Sequence, residues 1–324
     1  MDVRVGTFNV NNLFSRYNFR AEVEAIKEGE DEITVTYTFE APGRDQFRTY
    51  RGDLVKGKPQ DERDVVAERI KAMDLDVLAL QEVEDIDALR SFNRDELEGM
   101  YPFGVLIEGN DDRLIDVALL SRLPFGRIVS WQAAVHEAEP HGPIFSRDLL
   151  QVDVLNHTRK RRLFTVFNTH LKSHYTPWYL TAAEAQAQEQ QDDERRTHQA
   201  ESAAQIIVDE TRPDSHFVLL GDMNDPVDSH CLVPSWGPGG LGLIDGLAQA
   251  AETSHLNDAE QPAAPTWTHR YKQSGQPPVY ELYDQIWLSP ALAARLGGAG
   301  IHRRTRKTGD GSDHDPAWVE LQQV

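Results

Sequence analysis

Strand-like runs recur along the whole chain with helical stretches between them, and this alternation limits the folds open to it more than any other feature. The runs lie at 3–9, 76–80, 116–121, 149–155, 162–168, 216–220, 283–288 and 317–321. Some alternate apolar and polar residues, as in Val3-Arg4-Val5, the pattern of a strand with one covered face. Val77-Leu78-Ala79-Leu80 and Phe217-Val218-Leu219-Leu220 are continuously apolar, which predicts central strands covered on both faces. Residues 61–73 set Val65, Val66, Arg69, Ile70 and Met73 at helical spacing, with Asp61 as the expected N-cap. Residues 180–210 are rich in Ala, Glu and Gln and lack Gly and Pro, which predicts one long helix or two abutting ones. No linker, low-complexity tract or repeat divides the chain. The expectation is therefore one α/β domain over residues 1–324, with sheets covered on two sides. Residues 26–58, an acidic stretch, a strand-like run and then Pro42-Gly43, read as an inserted hairpin. Residues 225–279 read as a loop-rich cover over a site.

Charge narrows the function classes. Lys and Arg number 33 against 53 Asp and Glu in 324 residues, a net charge of −20. Such a surface repels polyanions at long range, because nucleic-acid binding draws on counterion release by basic groups. An acidic chain can still act on phosphates if it carries a cation to the site. No apolar run approaches the roughly 20 residues of a membrane span, and the start lacks a signal-peptide pattern, so a cytoplasmic location is expected. Cys231 is the single cysteine, which rules out an intramolecular disulfide or a multi-cysteine metal cage.

The chemistry gathers at strand ends. The first strand ends Thr7-Phe8-Asn9-Val10-Asn11, the second Gln81-Glu82, the 162–168 run Asn168-Thr169-His170 and the 216–220 run Gly221-Asp222-Met223-Asn224. Ser312-Asp313-His314-Asp315-Pro316 precedes the last strand, so all five motifs meet at one edge if that strand runs antiparallel to the other four. Each motif alone is an ordinary turn or cap sequence. Together they supply the carboxylates, amides and imidazoles of a hard-metal and acid–base site. Competing motifs fail on context. Gly237-Pro238-Gly239-Gly240-Leu241-Gly242 matches a dinucleotide fingerprint, but no strand precedes it. His170 and His174 have zinc-helix spacing, but Leu171 stands where the Glu is needed.

In this order and spacing, the motifs Thr7 to Leu13, Gln81-Glu82, Asn168 to Leu171, Gly221 to Asn224, Tyr283-Asp284-Gln285-Ile286 and Ser312-Asp313-His314 resemble the endonuclease/exonuclease/phosphatase superfamily. Its members include DNase I-like nucleases, abasic-site endonucleases, and inositol-phosphate and sphingomyelin phosphodiesterases. The resemblance spans residue 3 to about 320. It implies a four-layer α/β sandwich, two central mixed β-sheets flanked by helices, with a Mg²⁺ site at one edge (Mn²⁺ or Ca²⁺ in its place). It implies Glu82 as principal metal ligand with Asn9 and Asp313 beside the metal, Asp222 orienting or deprotonating the attacking water, and Asn224 holding a phosphate oxygen. His314 and Asp284, read as coming from neighbouring strands, form a pair that favours the imidazolium. His170 matches the second histidine of the nuclease and sphingomyelinase branches. Arg147 resembles a phosphate-contacting Arg, with a surface ion pair to Asp148 as the competing reading. Asn11 stands where relatives often have Asp and would meet substrate or metal through water.

Two basic clusters carry different expectations. Arg159-Lys160-Arg161-Arg162 should be a solvated hairpin tip at the far edge, and His302-Arg303-Arg304-Thr305-Arg306-Lys307 either a phosphate-backbone contact on the catalytic rim or a solvated loop. Tyr175 and Trp178 could stack on bases, although packing is the commoner use of such residues. The expected activity is Mg²⁺-dependent phosphodiester hydrolysis by a nuclease acting on DNA or RNA held locally. The alternative is a phosphatase or phosphodiesterase for a small or lipid phosphoester. No protein partner is evident in the sequence.

Overall fold

The computed structural model describes residues 1–14, 19–23, 35–39, 57–175, 177, 179–248, 250–253, 266–271, 275, 277–304 and 311–324. In chain order the elements are β1 (Val3–Leu13), β2 (Phe19–Val23), β3 (Val35–Phe39), α1 (Gln60–Met73), β4 (Val77–Val83), α2 (Ile86–Asp95), β5 (Phe103–Leu106) and β6 (Asp116–Ser121). There follow β7 (Phe125–Ser130), β8 (Leu149–Leu155), β9 (Arg162–His170), α3 (Ala182–Glu210), β10 (Phe217–Asp222), α4 (Val233–Trp236), β11 (Ile244–Asp245) and β12 (Ala251–Thr253). The last are β13 (His269–Tyr271), β14 (Val279–Glu281), β15 (Asp284–Leu288), α5 (Pro290–Ala293), β16 (Leu296–His302) and β17 (Ala317–Leu321).

Among the described residues, one mixed sheet has seven strands in the order β12-β16-β17-β1-β4-β6-β5, and a second has six in the order β11-β15-β10-β9-β8-β7. Apolar side chains sort into three clusters by the two-residue period of the strands. On β1, Val3 and Val5 face the second sheet, while Phe8 and Val10 face the helices. On β4, Val77 and Ala79 face inward and Leu78 and Leu80 outward. On β10, Val218 and Leu220 face inward, and Phe217 and Leu219 pack outward with Ala203 and Ile207 of α3 and with Trp236. One cluster fills the space between the sheets, and the other two seat α1 with α2 on one flank and α3 with α4 on the other. This is the expected four-layer sandwich of two mixed sheets flanked by helices.

Local differences from the sequence reading have local causes. Asp61 is not the N-cap of α1: Pro59 takes that place without a side-chain cap, and Asp61 sits in the first turn, where its charge suits the helix dipole. Residues 182–210 form a single helix, closed at its start by a capping box between Thr181 and Glu184. The hairpin expected at 26–58 is represented by the antiparallel pair β2–β3, which begins earlier, at Phe19; the rest of that segment up to residue 56 lies outside the described residues. Trp178 and residues 305–310 do too. No helix among the described residues is long and apolar enough to cross a membrane.

Candidate active site

The inward faces of both sheets turn from apolar to polar at one end of the sandwich. Thr7 and Asn9 continue the row of Val3 and Val5, and Gln81 continues that of Val77 and Ala79. On the other sheet Asn168 and His170 follow Val166, and Asp222 follows Leu220. The strand directions make these ends coincide: β1 runs parallel to β4, β9 parallel to β10, and β17 antiparallel to β1, as the convergence of the five motifs required. In the second sheet His170, Asp222 and Asp284 are direct register partners on three adjacent strands and so form one row.

A buried polar chain fixes the floor. Thr7 Oγ1 donates to Gln81 Oε1 at 3.2 Å, and Gln81 Nε2 to Asn168 Oδ1 at 2.8 Å. Asn168 Nδ2 donates to the carbonyls of Leu80 and Ala118, so the chain ties one sheet to the other. Gln81 and Asn168 were absent from the expected site residues. Their signal was available: each is an amide on the inward register of a strand otherwise built for an apolar core.

Above this floor Asn9 joins two carboxylates, with Nδ2 3.3 Å from Glu82 Oε1 and 2.9 Å from Asp222 Oδ2, while its Oδ1 accepts from the Asn11 N–H. Glu82 adopts a left-handed backbone (φ 63°) at a register shift between β4 and its neighbours, and its Oε2 accepts from the Asn12 N–H at 3.0 Å. Asn11, Asn12 and Asn224 are left-handed as well. Such conformations cost on the order of 1–3 kcal/mol each and concentrate at functional sites. The bulge turns Glu82 out of the core and into the mouth of the site. Asn11 Nδ2 reaches Asp313 Oδ1 at 2.9 Å, and Ser312 Oγ donates to the Asn9 carbonyl at 2.7 Å, which locks the last motif to the first strand.

His314 Nδ1 lies 2.6 Å from Asp284 Oδ2. The sequence reading placed this pair on neighbouring strands. The structure places it across the two sheets, because β17 belongs to the seven-stranded sheet and β15 to the six-stranded one. His314 Nε2 faces Asp222 Oδ2 at 3.9 Å, and His170 Nε2 faces the same oxygen at 3.4 Å. Burial disfavours the His314 cation, but Asp284 and Asp222 outweigh it and push its pKa up to about 10. Burial raises Asp222 to about 7, with Asp284 adding to the rise and the His314 cation opposing it. Burial, helped by the Arg147 and His314 cations, holds His170 well below the usual imidazole range and therefore neutral.

The His314 shift predicts a pH-dependent stability. Folded His314 keeps its proton to about 10 whereas the unfolded imidazole releases it near 6.5, so this stabilisation is complete below 6.5 and disappears as pH rises through about 10. The urea midpoint of metal-free protein should therefore fall between pH 7 and pH 10, and His314→Gln should fall less. Equal declines in the two proteins would remove the assignment.

Asp222 and Asn224 do not lie on an extended segment. The Asn224 N–H donates to Asp222 Oδ1 at 2.9 Å in a tight turn, and Asn224 Nδ2 holds the Leu171 carbonyl at 3.1 Å. Gly221 is required before them: its φ is 135°, and a Cβ there would meet the Thr169 carbonyl oxygen at 1.9 Å. Arg147 is not in a surface pair with Asp148. It is 2% exposed, donates to the Leu171 carbonyl at 2.5 Å and pairs with Asp111 at 3.3 Å. Asp148 instead accepts from the Trp131 N–H.

Of the 302–307 cluster, residues 302–304 are described. Arg303 and Arg304 are 1% and 4% exposed and close on the buried carboxylate of Asp315. Neither is a solvated loop residue; both guanidinium groups are turned to Asp315 in the interior. Residues 157–161, in the turn between β8 and β9, and Arg162, which opens β9, are exposed at the end of β9 away from His170.

The donor set fits a hard divalent cation. Glu82, Asp222, Asp284 and Asp313 share one mouth, where burial first and then the Asp284 charge raise the Asp222 pKa. Glu82 and half-exposed Asp313 keep carboxylate lone pairs beyond the hydrogen bonds above.

The sequence model of the Endonuclease/Exonuclease/phosphatase family matches residues 6–314. No curated protein sequence matches the chain. Among solved structures, an endonuclease/exonuclease/phosphatase family protein from Bacteroides thetaiotaomicron aligns with a TM-score of 0.57 at 14% identity, covering 100% of this chain and 99% of that one. D. rerio TDP2 complexed with single strand DNA product aligns at 0.56 and 15% identity, covering 99% of each chain. The human nocturnin catalytic domain with bound sulfate aligns at 0.53 and 15%, covering 82% of this chain and 88% of that one. At such identities the likeness is one of fold. The family model, the strand-end motifs and their convergence at one edge of the sandwich together show that this chain belongs to the endonuclease/exonuclease/phosphatase family of phosphoesterases.

Proposed function

We propose that the chain is a Mg²⁺-dependent phosphodiesterase that cleaves nucleic acid. The observation that carries the reading is the His314–Asp284 pair at 2.6 Å facing Asp222 and His170 across the gap between the sheets. Asp222 orients the attacking water and takes its proton, for which a pKa near 7 is well matched. The water oxygen bonds to phosphorus as the bond to the leaving oxygen breaks, and that oxygen gains a proton from solvent at the mouth. The His314 cation stabilises the charge that grows on the phosphoryl oxygens, and Asp284 keeps the imidazole charged and aimed. Neutral His170 adds a hydrogen bond in the same place. Glu82 and Asp313 would hold the metal, with Asn9 bracing Glu82 against Asp222. Bound Mg²⁺ would supply a Lewis acid for a phosphoryl oxygen. Asn224 and Arg147 shape the phosphate seat through the Leu171 carbonyl they share, and Asn11 stands at the rim through Asp313.

A nucleic-acid substrate is supported by the structural neighbour crystallised with single-stranded DNA product. A second reading, hydrolysis of a small or lipid phosphoester, is favoured by the net charge of −20 and by the burial of Arg303 and Arg304, which takes both off the rim. Turnover of duplex DNA, single-stranded DNA, RNA and small phosphoesters with and without Mg²⁺ separates the two; activity confined to small esters would end the nuclease reading. Chelating the metal, or Glu82→Ala, is expected to lower the rate on the order of 10³-fold, several kcal/mol of lost charge stabilisation. A rate that survives both would exclude metal-assisted hydrolysis at Glu82.

A further inference from the structure

We infer that His269, Asp313 and His314 form a second cation site, one selective for a borderline transition metal such as Zn²⁺, whose occupation switches the enzyme off. The ligand atoms of the three residues all lie within 4.8 Å of one another. His269 stands on β13, bridged through its backbone to His314, with Nε2 3.7 Å from Asp313 Oδ2. His314 Nε2 lies 4.0 Å from Asp313 Oδ1. Two imidazoles and one carboxylate are a zinc donor set with a fourth position left for water, whereas Mg²⁺ prefers an all-oxygen set.

The orientation of the rings favours this site. His314 gives Nδ1 to Asp284 at 2.6 Å, the carboxylate–histidine arrangement that fixes the ring of a metal ligand, and this leaves Nε2 facing Asp222 at 3.9 Å and Asp313 at 4.0 Å. His269 is stacked on Tyr283 at 5.2 Å and packs against His314 at 4.7 Å with the ring planes tilted by 43°. Tilted planes let the two ring lone pairs converge on one ion. The carboxylates that favour a proton on Nε2 favour a dication at that place still more.

Two other clusters have ligand atoms equally close, and their geometry is poorer. In His136, His198 and Glu201 the two rings are stacked only 15° from parallel, so their lone pairs do not meet, and His136 Nδ1 accepts from the Ala138 N–H. In Asp193, His230 and Cys231 the carboxylate already pairs with Arg196, and the cysteine is buried with its Sγ directed at the Asp193 carbonyl.

Zinc at this site would hold the lone pair of His314 and replace its cation by a metal fixed to Asp313. Binding stands on the geometry; inhibition rests on the roles proposed above for His314 and for Asp313, which zinc would draw away from Mg²⁺. The test is titration of metal-free protein with Zn²⁺ against a chromophoric chelator, and with Co²⁺ read by its visible spectrum. Wild type, His269→Ala, His198→Ala and Cys231→Ser would be compared in the presence of excess Mg²⁺. The expected result is one zinc per chain, weakened on the order of 100-fold by His269→Ala and unchanged by the other two substitutions. Co²⁺ should give tetrahedral bands without thiolate charge transfer. Unaltered affinity in His269→Ala, a thiolate band, or loss of the stoichiometric ion in His198→Ala would overturn the site. The Co²⁺ spectrum of wild type decides even if His269→Ala fails to fold. Zinc should also stop Mg²⁺-supported turnover of wild type at concentrations that leave His269→Ala active. Zinc bound as described without loss of turnover would overturn the inhibition and, with it, the roles given to His314 and Asp313, while leaving the site.

Discussion

His314→Ala is expected to lower kcat by about 10²- to 10⁴-fold on whichever phosphoester the enzyme turns over, with a much smaller change in KM. The side chain is 8% exposed and sits between Asp284 and Asp222, so its truncation leaves both buried carboxylates without their imidazolium partner. A loss in kcat with KM nearly unchanged marks an interaction made in the transition state. Asp284→Asn should keep the packing but remove the charge that raises the His314 pKa. The alkaline limb of the pH–rate profile should then move to lower pH, because the imidazole loses its proton sooner. Should Asp284→Asn leave that limb in place, the pair would have no bearing on the reaction.

The second large effect is on stability. Asp315 is completely buried and meets Arg69 at 2.6 Å, Arg304 at 3.1 Å and Arg303 at 3.6 Å. The arginines are anchored further: Arg69 donates to the His302 carbonyl at 2.8 Å, Arg304 to the Asp313 carbonyl at 2.6 Å, and the Arg303 guanidinium lies 3.8 Å over the Trp267 ring. Removing one member of a buried ion cluster leaves the others charged and uncompensated, which typically costs about 3–5 kcal/mol. Asp315→Asn should therefore lower the unfolding free energy by about that much in urea titrations at neutral pH. A loss below about 1 kcal/mol would mean that the arginines find other partners or water. Arg304 also holds the Asp313 carbonyl, so the same substitution should loosen the segment that carries His314.

The two predictions differ in how much of their basis was legible in the sequence. Glu82 and Asp222 could be singled out because each stands where a strand pattern gives way to a polar motif, His314 because it lies in the polar motif before the last strand, and Asp284 through the family resemblance. Asp315 lay within the same motif, but only its three arginine partners reveal its function, and they come from α1 and from the end of β16. Residues 302–307 look solvent-facing in sequence because four of the six are Arg or Lys. A single buried carboxylate reverses that for Arg303 and Arg304, and sequence spacing does not reveal such a partner. His269 gave no signal at all: it lies on a three-residue strand in a loop-rich stretch, and its meaning comes from a backbone bridge to His314.

The sequence by itself determined the principal strands, the helices near 61–73 and 180–210 and an α/β domain with sheets covered on two sides, because side-chain period is a local property: alternate residues of a strand must face opposite sides, and apolar rows must be covered; the four-layer sandwich was implied by the family resemblance. It also determined which strand ends carry the chemistry, since polar residues replace apolar ones there on the inward row. Tertiary structure alone decided which strands share a sheet, and hence that His314 and Asp284 reach each other between sheets and not along one. It also decided which charges are buried. Both depend on pairings between residues far apart in the chain, where the free energy of burying a charge is set by whichever partner the fold brings against it.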